Sequence, residues 1–110
     1  MNIKWVVPLY VGKAAEKEKG KIVRGIKRAK APVDGFVLIL RTEGSDQLDI
    51  VPAAELQLPI YKDADIIIVG IARGKADALE LTARMAKEAL LHTGSADIRR
   101  YLAERERKSI

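Results

Sequence analysis

The segment that comes nearest to a chemical motif is residues 69–77, which read VGIARGKAD. A glycine-rich turn followed by lysine is typical of phosphate-binding loops, but a Walker A loop needs four residues between its glycines and a Ser or Thr after the lysine to hold magnesium. Here three residues separate Gly70 from Gly74, and Ala76 follows Lys75. A GxGxxG dinucleotide fingerprint is also absent. The spacing therefore argues against nucleotide hydrolysis and against a dinucleotide cofactor.

The same segment supports a weaker hypothesis. The free amides at a helix N-terminus, beside the side chains of Arg73 and Lys75, could hold a small anion. The structural alternative is that Gly74 begins the helix and Asp77, in its first turn, complements the helix dipole. We favour the structural interpretation and keep Arg73, Gly74 and Lys75 as candidate small-anion residues.

The other titratable residues form no recognisable catalytic or metal site. His92, the single histidine, is predicted near a helix C-terminus, where a cation is favoured, and no serine or carboxylate stands at motif spacing to it. Asp46 and Asp49 lack the loop that would complete a cation's oxygen ligands, and Asp63 and Asp65 are better interpreted as marking the turn into a strand. We predict no catalytic residues, no metal site and no cofactor.

The strongest functional signal is the charge of residues 13–30. This segment holds eight basic residues against two glutamates, whereas the whole chain has a net charge of +5. Basic side chains on an exposed helix face neutralise nucleic-acid phosphates. The candidates for polyanion binding are Lys17, Lys21, Arg24, Lys27 and Arg28. The alternative is a solvated helix packed on a sheet, which the interspersed glutamates and the scattered aromatic residues favour.

Composition limits the class of protein. The chain has 110 residues, the size of one domain, and no cysteine, which excludes disulfides and thiol catalysis. Its longest apolar run, residues 66–72, is far shorter than the roughly 20 residues of a membrane helix. The N-terminus lacks a cleavage site of small residues. We predict a cytoplasmic protein with no membrane partner.

Two segments predict strands at the centre of a sheet. Residues 35–42 and 64–72 are apolar on both faces, which is typical of covered, parallel strands. Residues 3–11 form a weaker candidate, an edge strand because Pro8 has no amide to donate. Helices are expected at residues 13–31, at 53–58 after Pro52, after Gly74 as far as Gly94, and from Ser95. The order predicts one α/β domain over residues 1–110, with a small, mostly parallel sheet of two to three strands, helices packed on it, and a mobile tail at 104–110.

The helix after Gly74 raises the question of self-association. Its predicted core stripe leaves Leu81 and Leu91 on another side, where apolar surface could be buried by a partner. A small sheet also leaves exposed edges, and two-fold pairing is the commonest form of soluble oligomer. We therefore predict a homodimer through this helix, the N-terminal strand, or both. The stripe comprises Leu79, Thr82, Ala83, Met85, Ala86, Ala89 and Leu90.

Three motifs, YVGK at residues 10–13, IVGIARG at 68–74 and HTGSADIRRYL at 92–102, give the chain a resemblance to short, uncharacterised bacterial proteins of about 110 residues. The resemblance implies a stand-alone domain of unknown function and transfers no site residue. The sequence thus leaves function unknown. Its best interpretation is a small non-enzymatic binding or interaction module, and the alternative is a nucleic-acid or polyanion binder that uses the basic helix 13–30.

Overall fold

The computed structural model describes residues 1–30, 34–41 and 47–108, with side chains as far as residue 105. These residues form four strands and three α-helices, together with three short 3₁₀ helices at Lys13–Glu18, Ala53–Gln57 and Pro59–Tyr61. In chain order the strands and α-helices are β1 (Asn2–Val11), α1 (Lys19–Lys27), β2 (Gly35–Leu40), β3 (Leu48–Pro52), β4 (Asp65–Arg73), α2 (Lys75–Thr93) and α3 (Ile98–Lys108).

The sheet is mixed, with the strand order β1-β4-β2-β3. β1 pairs parallel to β4, whereas β2 pairs antiparallel to both β4 and β3. The predicted α/β class is confirmed, but a mostly parallel sheet of two to three strands is wrong. β2 and β4 are indeed central, and Leu38 and Ile68 are fully buried. Their apolar residues on both faces reflect helices above and below the sheet, and that coverage does not fix strand direction.

The strand β3 was not predicted from the sequence. It is a half-buried edge strand whose sequence, LDIVP, includes Asp49 and ends at Pro52, which we interpreted as the start of a helix. A proline is compatible with an edge strand because an edge strand does not need every amide for pairing. A short helix does follow, as the 3₁₀ helix Ala53–Gln57. The sequence also predicts a polar turn at residues 43–46, EGSD, which lie outside the described residues.

Helical segments cover both faces of the sheet. Ala15, Ile22 and Ile26, from the first 3₁₀ helix and α1, pack on one face in a cluster with Ile66 and Ile68 of β4. α2 and α3 pack on the other face, where the buried residues are Val6, Leu38, Val69, Ala72, Ala78, Leu81, Met85, Ile98 and Leu102. The residues of β4 therefore divide between two separate cores.

The rotation of α2 differs from the predicted stripe. Its buried apolar residues are Ala78, Leu81, Met85 and Ala89, which recur at spacings of three and four. Leu81 is thus a core residue, while Leu79 and Leu90 are 53% and 51% exposed and Leu91 is 76% exposed. The predicted stripe lies on a different side of α2 from the buried residues, because Asp77, a polar residue, also faces the core. Gly94 ends the helix with φ 77°, as predicted.

Two further boundaries differ from the predictions. The helix expected at residues 13–31 begins as a 3₁₀ helix and ends at Lys27, followed by Ala29 with φ 60°. α3 continues to Lys108, through most of the segment predicted to be a tail. Within the described part of the chain, no helix combines the length and the apolar character needed to cross a bilayer.

Candidate ligand-binding crevice and basic surface

A crevice opens beside the carboxyl ends of β1 and β4. Because these neighbouring strands are parallel, both end at the same edge of the sheet. The chain then leaves β1 toward the α1 face and leaves β4 toward the α2 face, which is the topological arrangement that forms a crevice in α/β sheets. The crevice has a volume of about 420 Å³ and is lined by Gly12, Lys13, Asp77, Glu80, Leu81, Ala83, Arg84 and Lys87.

Asp77, at the base of this crevice, links the connection that follows β1 to the connection that follows β4. Its carboxylate accepts hydrogen bonds from the Arg73 amide, at 2.9 Å, and from the Ala14 amide, at 3.3 Å, and the residue is only 8% exposed. A Cβ added to Gly12 would lie 2.1 Å from Asp77 Oδ2. Gly12 has an ordinary φ of −62°, so the position needs glycine for space and not for backbone conformation.

The predicted small-anion residues lie next to Asp77, and several of their donors are already used. The Arg73 guanidinium donates to Asp34 Oδ2 at 2.6 Å and to Glu18 Oε1 at 3.0 Å, and the Gly74 amide donates to the Asp34 carbonyl at 2.8 Å. The hydrogen bond from Arg73 lowers the pKa of Asp34, and Asp34 in turn raises the pKa of Arg73. Two of the five N–H groups of the Arg73 guanidinium are therefore engaged, and the Lys75 side chain is exposed.

The five predicted polyanion-binding residues are all exposed. Lys21, Arg24 and Arg28 recur at spacings of three and four, on the side of α1 opposite the buried Ile22 and Ile26. Lys17 precedes them in the 3₁₀ helix. We call Lys17, Lys21, Arg24 and Arg28 together the basic line; Lys21 to Arg28 span roughly 10 Å at about 1.5 Å per residue.

The fifth of these residues, Lys27, lies to one side of the basic line and contacts an aromatic ring. Its Nζ is 5.6 Å from the centroid of the Trp5 ring, within the range of a cation–π interaction. Trp5 is half-buried on the edge strand β1. Sequence reasoning missed this pair because 22 positions separate the two residues and only the packing of α1 against the sheet brings them together.

A polar cluster of Tyr10, Glu88 and Arg105 links β1 to α2 and α3. The Tyr10 hydroxyl donates to Glu88 and accepts a 2.7 Å hydrogen bond from Arg105 Nη1, while Arg105 Nη2 donates to the Pro8 carbonyl at 3.0 Å. Burial, and then the hydrogen bond to Glu88, raise the pKa of Tyr10 well above its usual value. A phenol held neutral in this way stabilises structure and is a poor base.

His92 lies near this group without joining it. Its ring stacks on Tyr101 at a centroid distance of 5.5 Å, and the side chain is exposed near the end of α2. Burial also raises the pKa of Tyr101. Over the described ranges, no group of three or more potential metal-ligating side chains is present.

Comparison with protein-family models, with curated proteins and with solved structures finds no match to this chain. The resemblance to short bacterial proteins therefore stays a prediction, and the candidate sites rest on the geometry alone.

Proposed function

We propose that the protein is a non-enzymatic binding module that binds nucleic acid through the basic line and Lys27. The observation that supports the proposal is the exposure of all five side chains along one helical segment, with Lys21, Arg24 and Arg28 on the side opposite its buried residues. None of the five forms a salt bridge with another described residue, although Lys21 lies near enough to Asp34 to help lower its pKa. Cations without close carboxylate partners are available to phosphates.

The glutamates of the segment reduce its positive charge without cancelling it. Glu18 is paired with Arg73, which also binds Asp34, and these three groups together carry a net charge of −1. Glu16 is exposed. The eight basic residues of positions 13–30 still leave an excess of positive charge, and a positive surface of this kind favours phosphate contacts without base specificity.

Salt dependence is the sharpest test. Four neutralised phosphates predict a slope of about −4 for log K against log salt on duplex DNA, which is roughly a 100-fold loss of affinity between 50 and 200 mM salt. Fluorescence anisotropy of a labelled duplex and of a labelled single strand measures this. The variant Lys21→Gln/Arg24→Gln/Arg28→Gln should reduce the slope by about three.

The matched control removes the same charge elsewhere. Lys62→Gln/Lys75→Gln/Arg100→Gln changes three exposed cations outside the basic line. The proposal requires this variant to bind nearly as tightly as the wild type. Equal losses in the two variants would mean that binding follows net charge only, and no binding by the wild type at 50 mM salt would refute the proposal.

Self-association through β1 and α2 is a second candidate function, favoured by exposed apolar side chains on both elements. β1 is an edge strand, and Val7 on it is 79% exposed, while Leu90 and Leu91 are exposed on α2. An open edge and exposed leucines favour pairing with a second copy. Light scattering across micromolar concentrations tests it: a species of 12.1 kDa that does not change with concentration would exclude the homodimer.

A further inference from the structure

The crevice beside Gly12 carries a hypothesis that is independent of the basic line. It lies where ligands bind in open α/β sheets, outside the carboxyl ends of strands from which the chain departs to opposite faces. Its volume, about 420 Å³, lies within the range of small-molecule sites. Position and size together indicate a site for a small molecule.

The charges around the crevice indicate what it would bind. Three cations line it, Lys13, Arg84 and Lys87, against two carboxylates, Asp77 and Glu80. Asp77 accepts hydrogen bonds from two main-chain amides but keeps its negative charge. The five charged side chains therefore sum to +1, and this excess of cations favours an anionic ligand, such as a dianion that contacts all three of them.

Arg84 is held at the crevice by the backbone. Its Nη2 donates to the Val11 carbonyl at 2.7 Å, which fixes the guanidinium beside the end of β1. The other donors of its five N–H groups remain available, and a guanidinium matches the oxygens of phosphate or carboxylate in pairs. The exposed Ala83 adds an apolar side chain to the lining of the crevice, with Leu81 buried behind it. The site therefore combines one anchored guanidinium and two lysines with an apolar side chain.

We propose that this crevice binds a small organic dianion, a phosphate monoester or a dicarboxylate, whose anionic group contacts Arg84, Lys87 and Lys13 and whose apolar body lies against Ala83. The two ligand sources share this chemistry, and separate probes distinguish them.

Three probes test the proposal by ¹H–¹⁵N NMR titration at 150 mM salt: phenyl phosphate, phthalate and the neutral benzyl alcohol. Phenyl phosphate, phthalate or both should shift the amides of Gly12 and Ala83, and benzyl alcohol should not. Whichever dianion binds identifies the source. Failure of both dianions to shift these amides at 10 mM, or equal shifts with benzyl alcohol, would overturn the proposal.

Variants then locate the binding. Ala83→Phe fills the crevice from an exposed position on α2 and should abolish the shifts, whereas Ala76→Phe, exposed on the same helix but outside the crevice, should preserve them. Lys87→Gln should weaken binding about fivefold, and Lys62→Gln, at an exposed lysine outside the crevice, should leave it unchanged. Undiminished binding by Ala83→Phe would place the ligand elsewhere and refute the proposal.

The two proposed sites are separable. The Lys21→Gln/Arg24→Gln/Arg28→Gln variant should bind the dianion like the wild type, because these charges lie on the outer side of α1 and salt screens them over about 8 Å. Ala83→Phe should retain nucleic-acid binding. Each proposal can therefore fail without the other.

Discussion

Two connections leave the parallel strands β1 and β4 at the same edge of the sheet, and they differ in almost every respect. After β4, Gly74 leads directly into α2, which has 19 residues and ends at Gly94. After β1, Gly12 leads into six residues of 3₁₀ helix and then into the nine residues of α1. The connection after β4 is regular and largely buried on one side. The connection after β1 consists of shorter helices, contains glycine and is basic.

The difference means that the segment with the larger buried apolar surface is not the segment that carries the exposed positive charge. α2 buries four apolar residues and is joined to β1 through Tyr10 and Glu88. α1 buries only Ile22 and Ile26. Between Ala15 and Ile22 all residues are charged except Gly20. We therefore expect α2 to set the global stability, and the segment from Lys13 to Lys27 to open more readily.

The largest expected effect is at the centre of α2. Leu81→Ala should lower the free energy of unfolding by about 3 kcal/mol, because Leu81 is 1% exposed and its loss leaves a cavity against the sheet. Chemical denaturation measures the change. Leu91→Ala, ten residues along the same helix and largely exposed, is the control and should cost less than about 0.5 kcal/mol. Similar costs for the two leucines would contradict the helix rotation described here.

The second prediction concerns the contact that joins the two connections. Gly12→Ala should cost about 2 kcal/mol, because the added Cβ would overlap the Asp77 carboxylate. Asp77→Ala should itself cost about 2 kcal/mol, since the Ala14 and Arg73 amides lose their acceptor.

A double-mutant cycle tests whether the overlap is the cause. In the Asp77→Ala background, Gly12→Ala should cost almost nothing, which gives a coupling energy near 2 kcal/mol. Additive costs would show that Gly12 is required for another reason, and would remove Asp77 as the link between the two connections.

The third prediction exploits the weaker helix. Gly20→Ala in α1 should raise the stability by roughly 0.8 kcal/mol, because alanine favours helix and the added Cβ would approach only the flexible end of Arg24, at 3.4 Å. Gly94→Ala is the matched control: its φ of 77° strains an L-residue, so the same substitution should lower the stability. Thermal unfolding of the two variants should therefore shift in opposite directions.

The sequence predicts these connections unevenly, for physical reasons. The strands β2 and β4 and the limits of α2 follow from apolar runs and from the glycines that flank α2, all of which are local signals. Strand direction does not follow, because a strand covered on both faces has the same apolar pattern whether it pairs parallel or antiparallel. The β3 strand was hidden by Asp49 and Pro52, which an edge strand tolerates.

The candidate sites show the same division. The basic line was predictable, because helical periodicity alone places Lys21, Arg24 and Arg28 together. The crevice was not, since it exists only because β1 and β4 are neighbours and their connections depart to opposite faces. Tyr10 likewise meets Glu88 and Arg105 across 78 and 95 positions of sequence, and no local pattern reports such a contact.

The smallest expected effect is the response of the α2 side to alkaline pH. Burial raises the pKa of Tyr10 in the folded protein, whereas in the unfolded chain the phenol ionises near its ordinary value of about 10. The resulting stabilisation is complete below pH 10 and is lost as the pH rises from there toward the folded-state pKa, because only the unfolded chain then gives up its proton. Since Tyr10 is partly open to solvent, we expect a loss on the order of 0.5 kcal/mol by pH 11.

Tyr10→Phe should show a correspondingly smaller fall in stability between pH 8 and pH 11, measured by urea denaturation at each pH. Tyr101→Phe serves as the comparison, because its pKa is raised as well but it lies on α3. An alkaline fall of the same size in wild type and Tyr10→Phe would show that the hydroxyl ionises freely in the folded state, and would remove the link from β1 to Glu88 as a source of stability on the α2 side.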